Sequence, residues 1–155
     1  MSRVASLILL GLILLSPTMV AAQGEPAAPY DAALAESLGA DEYGMRSYVL
    51  VILKTGPTKV PSGEERTRMF AGHMANIQRL ADEGKLVFAG PLDGVDGWRG
   101  IFIFATSDIA TARDYVSTDP VITNGEMVAE YHKLYGSAGL MMVNEISRKI
   151  SKKSP

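Results

Sequence analysis

The stretch SGEERTRMFAGHMANIQRLADEGKLVFAGP, residues 62–91, sets the architecture of the chain. Phe70, His73, Met74, Ile77, Leu80 and Ala81 recur at the i, i+3, i+4, i+7 spacing of a helix with one buried stripe. Ser62 followed by Glu65 reads as a capping box that starts this helix, and Gly84 reads as its stop. The residues that follow, Lys85 to Ala89, predict a strand that Gly90-Pro91 terminates. His73 sits inside the apolar stripe. A buried imidazole costs free energy unless its nitrogens find partners, so this position calls for an acceptor, a water or a ligand.

Working outward, Tyr48 to Leu53 is apolar without alternation, which reads as a strand buried on both faces and ended by Gly56-Pro57 and Pro61. Asp93 to Gly97 makes the turn into a third strand, Trp98 to Ala105, again apolar on both faces. Ser107 and Asp108 open a second helix in which Ile109, Ala112 and Val116 share a side. Asp119 caps a short turn with Pro120 at its first position, and Gly125 closes it. Met127 to Tyr135 is a fourth strand. Val128, Glu130, His132 and Leu134 lie on one of its faces, with Met127, Ala129, Tyr131 and Lys133 on the other.

The order is β-α-β-β-α-β, an α+β, ferredoxin-like arrangement with two helices on one face of an antiparallel sheet. Two helices cover one face only, so strands apolar on both sides imply a second cover, most economically the same face of another copy. A homodimer is therefore expected. Residues 136–155 form a tail whose Leu140, Val143, Ile146 and Ile150 make a narrow helical stripe suited to exchanged contacts.

The chain has 155 residues and is 47% hydrophobic, enough for one domain with a real core. Its first 22 residues are not counted in that core. Arg3 is a positive n-region, Val4 to Leu15 is a short apolar run, and Val20-Ala21-Ala22 places small residues at a cleavage site. This reads as a secretory signal peptide, because a spanning helix needs about 20 apolar residues. Export to the periplasm or medium follows, without a stable membrane anchor after cleavage. Residues 23–45 form an Ala-, Pro- and Gly-rich linker with one helical turn from Asp31 to Leu38, stopped by Gly39.

Removing the leader leaves 14 Lys+Arg against 17 Asp+Glu, a net charge of −3. That balance gives no basic patch for nucleic acid. The cations Arg148, Lys149, Lys152 and Lys153 read as solvating a helix end and complementing its dipole. Cysteine is absent, which removes disulfides, a thiol nucleophile and thiolate metal ligation.

Between Arg46 and Tyr135 the chain resembles the YCII-related (YciI-like) family of the dimeric α/β-barrel superfamily. The likeness rests on the helix AGHMANIQRLADEGKL, the strand end FAGPL, the strand WRGIFIF, the segment TDPVITNG and the closing strand, in that order. The flanks GADEYGM and YGSAGL resemble an exported subgroup. The resemblance implies a domain over residues 46–135, a homodimer, and a small cleft holding a His and Asp pair. The superfamily includes cofactor-free isomerases and lyases acting on small acids, and one YciI-like member is a dehydrochlorinase. These activities come by analogy of fold.

His73 is the candidate general base or acid, since imidazole titrates near neutral pH and a carboxylate partner would fix its tautomer. The resemblance places Asp119 beside it; on its own spacing, Asp before Pro is equally a good helix cap. Asp93 is the second candidate carboxylate, or a turn residue bonding its own backbone. Gly90, Pro91 and Arg99 are candidates for substrate binding, with Arg99 as the anion holder. His132 reads as a surface or dimer-face residue. No metal-ligand spacing, phosphate-cradling loop or cofactor motif is present. Two function classes follow: a cofactor-free isomerase or lyase using the His/Asp pair on a small organic acid or carbonyl compound, or a non-catalytic binding or interaction module in which the pair is structural.

Overall fold

The computed structural model describes residues 29–153. The signal peptide expected at residues 1–22 lies outside these, as does the start of the linker. A short helix α1 (Ala32–Ser37) precedes β1 (Met45–Thr55) and the long helix α2 (Glu64–Asp82). Then come β2 (Leu86–Pro91), β3 (Trp98–Phe104), helices α3 (Ile109–Val116) and α4 (Pro120–Thr123), β4 (Met127–Ser137) and α5 (Val143–Ile150). Apart from α1, the short α4 and α5 this is the β-α-β-β-α-β order, with strand order β2-β3-β1-β4 and every adjacent pair antiparallel. The α+β, ferredoxin-like fold stands.

One face of the sheet carries the core. Val49, Val51 and Leu53 of β1 and Phe102 and Phe104 of β3 pack against Met69 and Leu80 of α2 and Ala112 and Val116 of α3. At about 2 kcal/mol for each fully buried large side chain, this layer supplies the main stabilisation. Alternation puts Leu50, Ile52, Ile101 and Ile103 on the opposite face, where β1 pairs Leu50 with Ile103 and Ile52 with Ile101. On the two edge strands that face continues as Phe88, 36% exposed, and Val128, 44% exposed.

Several local expectations are revised. The capping box does not form: Gly63 occupies the cap position of α2 and no side chain bonds there, so Ser62 falls one residue too early to reach the first turn. The α2 stripe is rotated from its expected phase. Met69, Asn76 and Leu80 are buried and Met74 is 44% exposed, which centres the inward face on His73. Gly90-Pro91 does not end β2 but continues it, pairing with Ile101 and Gly100. Proline is tolerated there because β2 is an edge strand. Asp108 caps α3 as expected, accepting from Ala110 N–H at 3.2 Å and Thr111 N–H at 2.9 Å.

The flanks dock on the sheet through specific polar contacts. Arg46 donates to the Leu38 carbonyl at 2.8 Å, and Asp41 accepts from the N–H groups of Tyr43 and Met45. At the other end Asn144 of α5 donates to the Leu86 carbonyl at 2.7 Å, satisfying an acceptor on the exposed side of β2. The expected stripe of the tail is only partly covered: Ile146 is 45% and Ile150 77% exposed.

Candidate functional site

His73 reaches its position because α2 crosses the start of α4 at very short range. Gly72 makes this possible: a Cβ there would meet the Pro120 ring at 2.9 Å. The neighbouring His73 then meets Asp119, its Nδ1 lying 2.7 Å from Oδ2 and 2.9 Å from Oδ1. Asp119 is fully buried and also caps α4, with Oδ1 accepting from the Val121 N–H at 3.1 Å. A carboxylate receiving these bonds accepts only, so the shared proton belongs on Nδ1 and the Nε2 lone pair is left free. Among the described residues Nε2 has no protein partner, yet it is not a sealed polar atom; the side chain is 12% exposed. Phe70 meets the ring edge-on at 6.2 Å and Phe102 lies 6.1 Å from it, so the imidazole stands in an aromatic collar with one nitrogen open.

A second tie holds the same crossing. Asn76, one turn beyond His73, is 8% exposed and accepts from Arg79 at 2.7 Å, and the Thr118 hydroxyl lies 2.9 Å from its Oδ1. Neither Asn76 nor Gly72 has a signature in the apolar pattern. A search for small residues beside a candidate histidine would have found Gly72.

The other candidates are distributed elsewhere. Asp93 sits in the turn after β2 and accepts from the Val95 N–H at 3.2 Å; the carboxylate on His73 is Asp119. Gly90 and Pro91 are paired strand residues. Arg99 lines a cavity of about 350 Å³ with Thr55, Thr58, Lys59, Arg66 and Glu126. His73 is not among its lining residues, and the Arg66 guanidinium sits 4.9 Å over the ring of Phe70. His132 bonds Glu130 at 2.8 Å on the open sheet face and takes no part in the His73 cluster. His73 is not among the residues lining the clefts of about 460, 410 and 350 Å³.

Glu126 is a feature the sequence did not announce. Only 3% exposed, it accepts from the Val60 N–H at 2.8 Å and pairs with Arg66 at 2.7 Å. Burial pushes its carboxyl up, but the Val60 N–H and the Arg66 and Arg99 charges outweigh that and hold it below its ordinary range. Around it, Gly56 passes so close to the chain at Gly125 that a Cβ would meet a carbonyl oxygen at 2.1 Å. Among the described residues no three His, Asp or Glu side chains are grouped to hold a metal ion.

Comparison with known proteins gives a family and a similar solved structure. Residues 47–132 match the model of the YCII-related domain. A solved structure of 5-chloro-2-hydroxyhydroquinone dehydrochlorinase from Burkholderia phenoliruptrix AC1100, in complex with 2,5-dihydroxybenzoquinone, is similar at 22% identity and a TM-score of 0.38. The likeness covers 54% of this chain and 90% of that one. No curated protein matches the chain. The family match takes in β1 through most of β4, with both His73 and Asp119 inside it, and the chain belongs to the family of proteins with a YCII-related domain.

Proposed function

We propose that this protein is an exported homodimer that binds a small organic acid or carbonyl compound and moves a proton on it without a cofactor, as an isomerase or lyase. One observation carries the reading: Asp119 holds His73 by Nδ1 while Nε2 stays open. In the proposed step Nε2 takes a proton from a carbon next to the substrate carbonyl, and Asp119 stabilises the imidazolium that forms. The proton then returns to a different carbon in an isomerisation, or stays on the imidazolium while a leaving group departs with its electron pair in an elimination. His73 and Asp119 are the catalytic residues of this reading; Asp93, held in its turn, is not needed.

The dimer is supported by the open sheet face, where Phe88, Trp98 and Val128 expose apolar surface beside the paired isoleucines of β1 and β3. Export is supported by the residues of the leader. A second reading, a non-catalytic binding module, is favoured by the fact that Asp119 already has a structural task as the cap of α4.

The test is deuterium wash-in, followed by proton NMR in D₂O, across a panel of small 2-oxo acids and β,γ-unsaturated acids. At least one compound should exchange, and His73→Ala should abolish that exchange while the protein stays folded. Binding without exchange in the wild type leaves the binding-module reading in place.

A further inference from the structure

We propose that the cleft between α2, β2 and α5 is a binding site for a small amphiphilic carboxylate, held by its apolar body on the α2 and β2 floor and by its charge on the cations of the tail. This site is separate from the His73 dyad and does not depend on how that dyad is used.

The orientation of α5 is the first observation. An amphipathic helix ordinarily turns its apolar stripe toward the protein. Here Asn144, Ser147, Arg148 and Ser151 line the cleft, while Ile146 and Ile150 stand exposed. Asn144 fixes this rotation by its bond to the Leu86 carbonyl. A helix that presents polar groups to an apolar surface leaves a space that the protein itself does not fill.

The shape and chemistry of that space are the second. The cleft has a volume of about 460 Å³, within the range of small-molecule sites. Its floor is Ile77, Ala81, Leu86 and Ala89, and its rim carries Arg148, Lys152 and Lys153. Among the described residues none of these cations has a carboxylate within salt-bridge distance, whereas the adjacent Lys149 is paired with Glu145. The nearby Asp82 accepts from the Gln78 amide and lines the neighbouring depression with Glu145. The C-terminal end of α5 contributes a partial negative charge of about half a unit, which cations on the rim outweigh. An apolar floor under unpaired cations selects a ligand with an apolar body and an anionic head, and rejects a neutral or cationic analogue. All of α5 follows the family-matched residues 47–132, so the helical wall of this site is supplied by the tail.

The experiment is a titration of the isotopically labelled protein with octanoate, followed by amide chemical shifts, with octan-1-ol as the neutral counterpart. Octanoate should give saturable shifts at Ile77, Ala81, Ala89 and Ser147, and octan-1-ol should bind at least about ten-fold more weakly. The double variant Arg148→Glu, Lys152→Glu should weaken octanoate by about ten-fold or more and leave octan-1-ol unchanged. Should that variant disturb α5, raising the salt concentration on the wild type provides the same readout, since exposed cations are screened. His73→Ala should bind octanoate as the wild type does. Equal affinity for octan-1-ol, binding indifferent to both salt and charge reversal, or saturable shifts confined to other parts of the molecule would each overturn the proposal.

Discussion

Two carboxylates, seven positions apart, are buried at the two ends of α4, and they are used in opposite ways. Asp119 at its start meets an imidazole, a side chain that exists with one or two ring protons, and leaves that imidazole one open nitrogen. Glu126 after its end meets the Arg66 guanidinium, a permanent cation, and a backbone N–H. Burial alone therefore does not mark a reactive carboxylate. What distinguishes them is whether the partner can change protonation state and whether it still has a free site. Glu126 joins the loop after β1 to α2 and β4, and Asp119 sets up a group with chemistry left to do.

The contrast breaks most readily at Glu126. Glu126→Ala leaves the Val60 N–H unsatisfied and strips Arg66 of its partner, which should cost about 3 kcal/mol in stability measured by chemical denaturation. A cost near zero would mean the cluster is idle and the two carboxylates do not differ in the way described.

The pH dependence comes next. The folded-state pKa of Glu126 lies below its ordinary value, so its stabilisation is present above that ordinary value and is lost as pH falls through the folded one. Acid titration of stability should show this loss in the wild type. Glu126→Gln should start less stable at neutral pH and flatten the profile in the acid range. An unchanged acid slope in the variant would assign the acid sensitivity to other carboxylates.

How much of this was legible is itself a matter of which signals a chain carries. The order of elements could be read because the apolar runs Tyr48 to Leu53 and Ile101 to Phe104 are bounded by glycine and proline signals and α2 carries a helical stripe. His73 stood out as a polar residue on an apolar stripe, and Asp119 as an aspartate before proline; both signals are local. Glu126 has no such signal, since a glutamate between Gly125 and Met127 looks like any loop residue until the β1 loop folds over it. The capping box failed because Gly63 moved the helix start by one residue. The stripe of the tail reads as suited to exchanged contacts, and in the single chain it leaves Ile146 and Ile150 exposed, a placement that no pattern within the chain announces.

Gly72 connects the fold to the dyad, and Gly72→Ala should sharpen the comparison. The added methyl meets the Pro120 ring, so α2 must move away from α4; the expected cost is about 1–2 kcal/mol. The imidazole resonances of His73 should shift with it, because the bond to Asp119 lengthens, while Arg66 and Glu126 keep their contact. Resonances of His73 that stay put would show that the proline ring yields and that the close approach is incidental to the dyad.

The smallest expected change in stability is at Asp119 itself, provided the substitution is Asn. Asparagine keeps an acceptor oxygen for the Val121 N–H, so the cap of α4 survives and the loss should stay near about 1 kcal/mol. Its amide nitrogen, however, can donate to His73 Nδ1. The ring proton then moves to Nε2 and the free lone pair is gone from the open side. If His73 acts as a base, exchange on the responsive compound should fall by about a hundred-fold or more while the fold survives that small loss of stability. Nitrogen-15 shifts of the imidazole would report the change of tautomer directly. A variant that switches tautomer and still exchanges at the wild-type rate would place the proton transfer on another group and make Asp119 the same kind of clamp as Glu126.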